Sequence, residues 1–288
     1  MKQGTRSEHN RADAASGERL RIRLNRMIWR GFLFGAGSLV VWVENAIPNR
    51  GYGRRLFAVS AKIMHRLVGA RIEVLGLERL ARGSLYLFTP NHRSHMDNTA
   101  VIEAIPGVTF AAKRELFDEP VLGKTLRALE IIPIDRENPE RAKQALRDAA
   151  VKLGKRMSVV IFPEGTRAPR GEMLPFKGGA FIFAIQLQVP IVPVAIHNAA
   201  EVMPARKYLT ILGGRIVVEL LPPIPTVGLT IEDYPKLREQ VRAVLIKALR
   251  PQDGGCADRS DLGFAPPTDS ERTRSSVEVQ PTVEPAQA

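Results

Sequence analysis

The chain has 288 residues, 44% of them hydrophobic and 25% charged, enough for one sizeable α/β domain with extensions at its ends. A formal charge of +12 selects an anionic partner, whether nucleic acid, an acidic membrane surface or a phosphorylated substrate. The single cysteine, Cys256, excludes a disulfide framework and a cysteine-built zinc site within one chain.

Residues 1–18 are polar and read as a disordered lead. From Arg19 the pattern changes: Arg19, Arg21, Arg23, Arg26 and Arg30 alternate with Leu20, Ile22, Leu24, Met27, Ile28 and Trp29. A charge-free run, Gly31 to Val43, then ends at Glu44, and Pro48 would stop a helix soon after. A signal peptide would need a small-residue cleavage site, which V-E-N-A-I-P does not supply well. A full span needs about 20 apolar residues, more than this run offers without absorbing Arg30. A helix lying in the membrane interface suits the pattern better, with arginines at phosphate depth and Trp29 and Trp42 among the headgroups. A second amphipathic helix over residues 53–67 continues the theme with Arg54, Arg55, Lys62 and Arg66. The alternative for both helices is simple packing on the main domain, since amphipathic helices usually cover cores. Residues 19–69 are thus expected to form a membrane-associated helical segment.

From Ala70 to about residue 250, apolar strand-like runs alternate with helical patterns, which predicts an α/β sheet flanked by helices. R-I-E-V-L-G, S-L-Y-L-F-T-P, V-T-F-A-A-K, I-I-P-I, S-V-V-I-F, V-P-I-V-P-V-A-I and R-I-V-V-E-L-L read as strands. Helices are expected near residues 94–104, 121–129, 140–153, 179–188 and 231–249. Residues 251–288 are rich in Pro, Ser, Thr and acidic side chains, and read as a disordered tail. That tail carries seven acidic residues against three arginines, so the positive charge sits in the body.

The most informative segment is Asn91-His92-Arg93-Ser94-His95-Met96-Asp97. On a continuous helix, residues five apart point about 140° away from each other. His92 and Asp97 can meet only if His92 precedes the helix and bends back over its first turn, with Ser94 as N-cap. Asp97 would then hold one ring nitrogen and leave the other to take a proton from a substrate hydroxyl. A plain capping pair is the alternative. A second segment, Phe162-Pro163-Glu164-Gly165-Thr166-Arg167, runs from a buried strand into a turn whose amides, hydroxyl and guanidinium suit a phosphate. Glu164 is anionic, so it is expected to orient Arg167 or to accept from a substrate hydroxyl. The turn lacks Gly-Lys-Ser/Thr and is not a nucleotide-hydrolysing loop. Arg136, Lys113 and Lys177 follow other predicted strands, and cations gathered at strand ends point to an anionic ligand.

Taken in order, these blocks resemble the lysophosphatidic acid acyltransferase family, the 1-acyl-glycerol-3-phosphate acyltransferases. N-H-R-S-H-M-D matches its His-four-residues-Asp motif, I-I-P-I-D-R its second block, F-P-E-G-T-R its third, and V-P-I-V-P-V its proline-containing fourth. The resemblance covers roughly residues 70–225 and implies a glycerol-3-phosphate acyltransferase-like fold. It implies that His92 deprotonates the sn-2 hydroxyl of lysophosphatidic acid while Asp97 orients the imidazole. Arg136, Glu164, Gly165, Thr166 and Arg167 would hold the glycerol phosphate, and Lys113 would steady the oxyanion. Acyl-CoA or acyl-carrier protein would be the co-substrate, with no metal or prosthetic group. The implied setting is the cytoplasmic face of the inner membrane, against anionic lipids. Pro133 and Asp135 fall where relatives vary, so another lysolipid, such as a lyso-ornithine lipid, stays open as acceptor. So does a non-catalytic lipid-binding role. Nucleic acid is not expected, because aromatics are sparse and no reader motif is present.

Overall fold

The computed structural model describes residues 17, 20–46, 52–105, 107–135, 138–153, 157–204, 211–257 and 259–262. The expected disordered lead lies outside them except for Gly17, as does the tail from residue 263. Fifteen principal elements are described. In chain order they are α1 (residues 20–46), α2 (Tyr52–Leu67), β1 (Ala70–Leu75), β2 (Leu87–Pro90), α3 (Met96–Ala104) and β3 (Thr109–Lys113). Next come α4 (Leu122–Ala128), β4 (Ile132–Ile134), α5 (Pro139–Leu153), β5 (Val159–Val160) and α6 (Gly179–Leu187). The last are β6 (Ile191–His197), α7 (Ala199–Val202), β7 (Gly214–Leu220) and α8 (Tyr234–Ala248).

The strands form a seven-stranded sheet in the order β1-β7-β6-β2-β5-β3-β4. Five run parallel; β7 turns antiparallel to β6 and carries β1 parallel to itself. Strand β6 is buried along its whole length although it contains Pro193. A proline cannot donate to a ladder. Its place is where β7 departs: the Pro193 carbonyl takes the Leu221 N–H, and β7 pairs only from Val194 onward.

Alternation along the strands divides the core into two layers. Phe88, Val192, Val194 and Ile196 face a cluster shared with α1, α2 and α3. Leu87, Ile191 and Ala195 face a second cluster with α5, α6 and α8. Helix α2 is tied to α3 by buried His65, whose ring nitrogens lie 2.5 Å from Glu103 Oε2 and 2.9 Å from Thr99 Oγ1.

Helix α1 contains a π-helical turn, Phe32–Ala36. Its inner face, with Trp29, Phe32, Ala36 and Val40, is buried against the domain. Just after the turn Gly37 meets α4 so closely that a Cβ would stand 2.8 Å from Thr125 Oγ1. Packing on the domain, the alternative reading of these helices, is therefore real for one face. No described helix is long and apolar enough to cross a membrane.

The C-terminal expectation needs correcting. The start of the predicted disordered tail is ordered, with 3-10 turns at Pro251–Asp253 and Ser260–Leu262. It is held by charge rather than by an apolar stripe. Asp253 is buried against Arg250 at 2.7 Å, and Arg259 reaches Glu219 and Asp261. Composition is blind to such long-range pairing.

Candidate active site

The parallel strands β2, β5 and β3 end side by side, and the loops leaving them carry the predicted residues. Asn91 extends the ladder after Pro90 with its side chain: Nδ2 donates to the Ile196 carbonyl at 3.1 Å, and Oδ1 accepts the Ile196 N–H at 2.7 Å. The next four residues form a turn, and α3 begins at Met96 rather than at Ser94. Asp97 Oδ2 accepts three hydrogen bonds inside that turn, from His92 Nδ1 (2.9 Å), Arg93 N–H (2.6 Å) and Ser94 N–H (2.7 Å). Ser94 Oγ accepts the Met96 N–H at 3.1 Å and donates to the Met203 carbonyl at 2.8 Å. Thus His92 does sit before the helix and bend back over its first turn. An acceptor at Nδ1 fixes the tautomer and leaves Nε2 as the nitrogen able to take a proton.

His92 is buried, and its ring lies against Phe162 with centroids 4.2 Å apart. Phe162 also lines an apolar cavity of about 430 Å³ between the strand ends, α5 and α6. Ile134, Leu146, Ile161, Ala180 and Ile182 form its walls, and Gly165 and Lys177 join them. Its size falls within the usual range for small-molecule sites, roughly 300–1,000 Å³.

The structure gives Glu164 different partners from those expected. Its carboxylate is 3% exposed and accepts the His92 N–H at 2.8 Å and the Leu174 N–H at 3.0 Å. Burial pushes its pKa up to about 7, against the opposing pull of those two N–H donors. Arg167 turns to His95 instead, with Nη1 3.3 Å from Nδ1. Burial, and then the neighbouring Arg167 charge, lower the His95 pKa to about 4, so the ring is neutral and accepts that bond. Nothing in the sequence pairs His92 with Glu164 or His95 with Arg167, because each of these two contacts joins positions 72 apart.

Gly165 has φ +72, a conformation costly for any residue with a Cβ. A Cβ there would also stand 2.9 Å from Lys177 Cε, so the Lys177 stem closes over the turn. Thr166 and Arg167 are exposed beside it. Lys113 ends β3 with Nζ 3.6 Å from Glu115 Oε2. Arg136 lies outside the described residues.

A family model described as Acyltransferase matches residues 71–197, which hold all of the predicted site residues. Over 198 residues the chain is 35% identical to 1-acyl-sn-glycerol-3-phosphate acyltransferase alpha of Mus musculus, covering 68% of each protein. The chain belongs to the 1-acyl-sn-glycerol-3-phosphate acyltransferase family. The Homo sapiens alpha relative is 37% identical over 186 residues, 64% of this chain and 65% of the relative's own length. The crystal structure of the 1-acyl-sn-glycerophosphate acyltransferase of Thermotoga maritima has the same fold, with a TM-score of 0.65 at 24% identity. It covers 80% of this chain and 94% of its own. In this family member, sequence motifs do not mark Phe162 as the ring against His92 or Leu174 as the second donor to Glu164.

Proposed function

We propose that this chain transfers a fatty acyl group from a thioester to the sn-2 hydroxyl of lysophosphatidic acid, giving phosphatidic acid for phospholipid synthesis. The reading rests on one observation above all. His92 is held by Asp97 at 2.9 Å on Nδ1, beside an apolar cavity whose wall, Phe162, touches the same ring. His92 Nε2 takes the proton of the hydroxyl as its oxygen bonds to the thioester carbonyl carbon. The C–S bond then breaks, and the imidazolium returns its proton to the leaving thiolate. Asp97 stabilises the imidazolium in between.

Arg167, Thr166 and the Gly165 turn suit the acceptor phosphate, joined by Arg136, while Lys113 faces the developing oxyanion. Glu164 supports this arrangement by fixing the His92 turn to the 172–175 loop. Acyl-CoA or acyl-carrier protein supplies the acyl group, and no metal or prosthetic group takes part. The outer face of α1 and α2 supports attachment to anionic lipid at the cytoplasmic face of the inner membrane. Exposed Leu24, Met27, Phe34 and Trp42 lie there among exposed Arg23, Arg26 and Arg30.

The test is thiol release from acyl-CoA and from acyl-carrier protein by purified protein in micelles, across a panel of lysolipid acceptors. His92→Ala is expected to lower turnover of lysophosphatidic acid by about 10²–10⁴-fold while the chain stays folded. Near-normal turnover in that variant would overturn the assignment, and a preference for another lysolipid would overturn the acceptor.

A further inference from the structure

Arg93 follows His92 directly, yet its side chain is only 3% exposed. Burial lowers its pKa, and Asp253 and Glu201 are the strongest of the carboxylates that pull it back up, ahead of Asp97 and Glu164. Its Nη1 donates to the Glu172 carbonyl at 3.3 Å. That carbonyl belongs to the loop whose Leu174 N–H is held by Glu164, and Glu164 also holds the His92 N–H. The catalytic turn is thus clamped to the 168–174 loop by three links, the third being the Ala168 N–H on the His92 carbonyl at 2.8 Å.

The loop is seated in turn by the ordered start of the C-terminal region. The Gly171 N–H donates to the Gln252 carbonyl at 3.2 Å. Gly254, at φ +93, passes so close that a Cβ would stand 2.4 Å from the Glu172 oxygen, the acceptor of Arg93. Asp253 anchors this passage: it is 1% exposed, accepts Arg250 Nε at 2.7 Å and the Asn198 N–H at 3.3 Å, and lies 3.7 Å from His197 Nδ1. Arg259 adds a link from Nη1 to Glu219 Oε2.

We propose that residues 251–257 form a strap that positions His92 for proton transfer, acting through the 171–174 loop and Arg93. The strap touches no reacting atom. Its effect passes through the Glu172 carbonyl, so Arg93 and Gly254 lie on one line of contact. The proposal rests on the reading of His92 as general base.

Gly254→Ala tests it without removing a charge, because the new methyl pushes on the Glu172 carbonyl. The variants are Gly254→Ala, Arg93→Met, Arg93→Lys and the double variant Gly254→Ala/Arg93→Met, in the full chain in micelles with lysophosphatidic acid and acyl-CoA. Gly254→Ala and Arg93→Met should each lower kcat about 10- to 100-fold with little change in either KM. The double variant should be no worse than Arg93→Met alone, and Arg93→Lys should regain part of the rate. A readout independent of turnover is the ¹⁵N resonance of the His92 Nδ1–H held by Asp97. It should shift in Gly254→Ala and Arg93→Met and return toward normal in Arg93→Lys. Additive losses in the double variant, or an unmoved His92 resonance, would overturn the proposal. So would a loss of thermal stability with kcat intact. If the unaltered chain does not acylate lysophosphatidic acid, the proposed function fails, and the His92 resonance still decides the strap.

Discussion

Asp97 accepts three N–H groups through one oxygen, while its Oδ1 is buried with no hydrogen-bond partner among the described residues. That asymmetry separates the charge of the side chain from its role in shaping the turn. In Asp97→Asn the carbonyl oxygen can keep all three donors, and the amide takes the Oδ1 position, where no bond is displaced. The charge that steadies an imidazolium is lost. The variant should therefore keep the turn, at a cost of about 1–3 kcal/mol for the buried amide N–H groups that gain no acceptor, yet turn over about 10²–10⁴-fold more slowly. Asp97→Ala strands three buried donors, at about 1–3 kcal/mol each, and should be markedly less heat-stable as well as inactive. Thermal melts paired with kcat for both variants separate the two roles. Full activity in Asp97→Asn would show that the charge contributes nothing.

At the scale of elements, Glu164 joins the loop after β5 to the turn after β2, and its raised pKa makes that junction sensitive to pH. Folded, it holds its proton up to about pH 7, against an ordinary value of 4.5. The folded state therefore binds more protons between those values, and the sign follows. The contribution to stability is complete below pH 4.5 and is lost as pH rises through about 7. Unfolding measured from pH 5 to pH 8 should show this decline, at most about 3 kcal/mol from this group. Glu164→Gln has no proton to lose, so its profile should lack that component. It should also be less stable at pH 5, because the His92 and Leu174 N–H groups are held by different oxygens, and the amide nitrogen that replaces one of them cannot accept. Parallel profiles for the two proteins would contradict the assignment.

The elements themselves were legible because period and burial agree with one another. The alternating R-I-E-V-L and the continuous V-P-I-V-P-V-A-I both emerge as strands, and His92 meets Asp97 in the one arrangement their spacing allows. What escaped the sequence is contact between distant loops. The sequence offers Glu164 either Arg167 or a substrate hydroxyl as partner, whereas its carboxylate is held by the buried backbone donors of His92 and Leu174, which outcompete a solvated guanidinium. The strap escaped for a related reason. Its polar composition resembles disorder, and its order comes from long-range polar contacts: Asp253 with Arg250 and His197, Arg259 with Glu219, and backbone bonds from Cys256 and Ala257 to Ile246 and Leu249.

Across the whole molecule, helix α1 is apolar on two faces. Trp29, Phe32 and Val40 face the core, whereas Leu20, Leu24, Met27, Phe34, Leu39 and Trp42 face outward, each at least 44% exposed. Val59, Ile63 and Leu67 extend the surface onto α2. Core packing explains the inner face and not the outer one, which suits the proposed lipid interface, with exposed Arg26 and Arg30 placed for phosphates. Each outer aromatic, once buried in lipid, contributes about 1.5–3 kcal/mol. Phe34→Ser/Trp42→Ser should therefore weaken partitioning onto vesicles rich in anionic phospholipid by roughly 100-fold or more, the equivalent of about 3 kcal/mol. Added salt should weaken binding of the unaltered chain by screening the arginines, and should leave the effect of the two serines in place. Thiol release with a water-soluble, short-chain acceptor should be nearly unchanged, since neither side chain lines the His92 site. Unchanged vesicle binding in the double variant would remove this face from membrane contact and return both helices to a purely structural role.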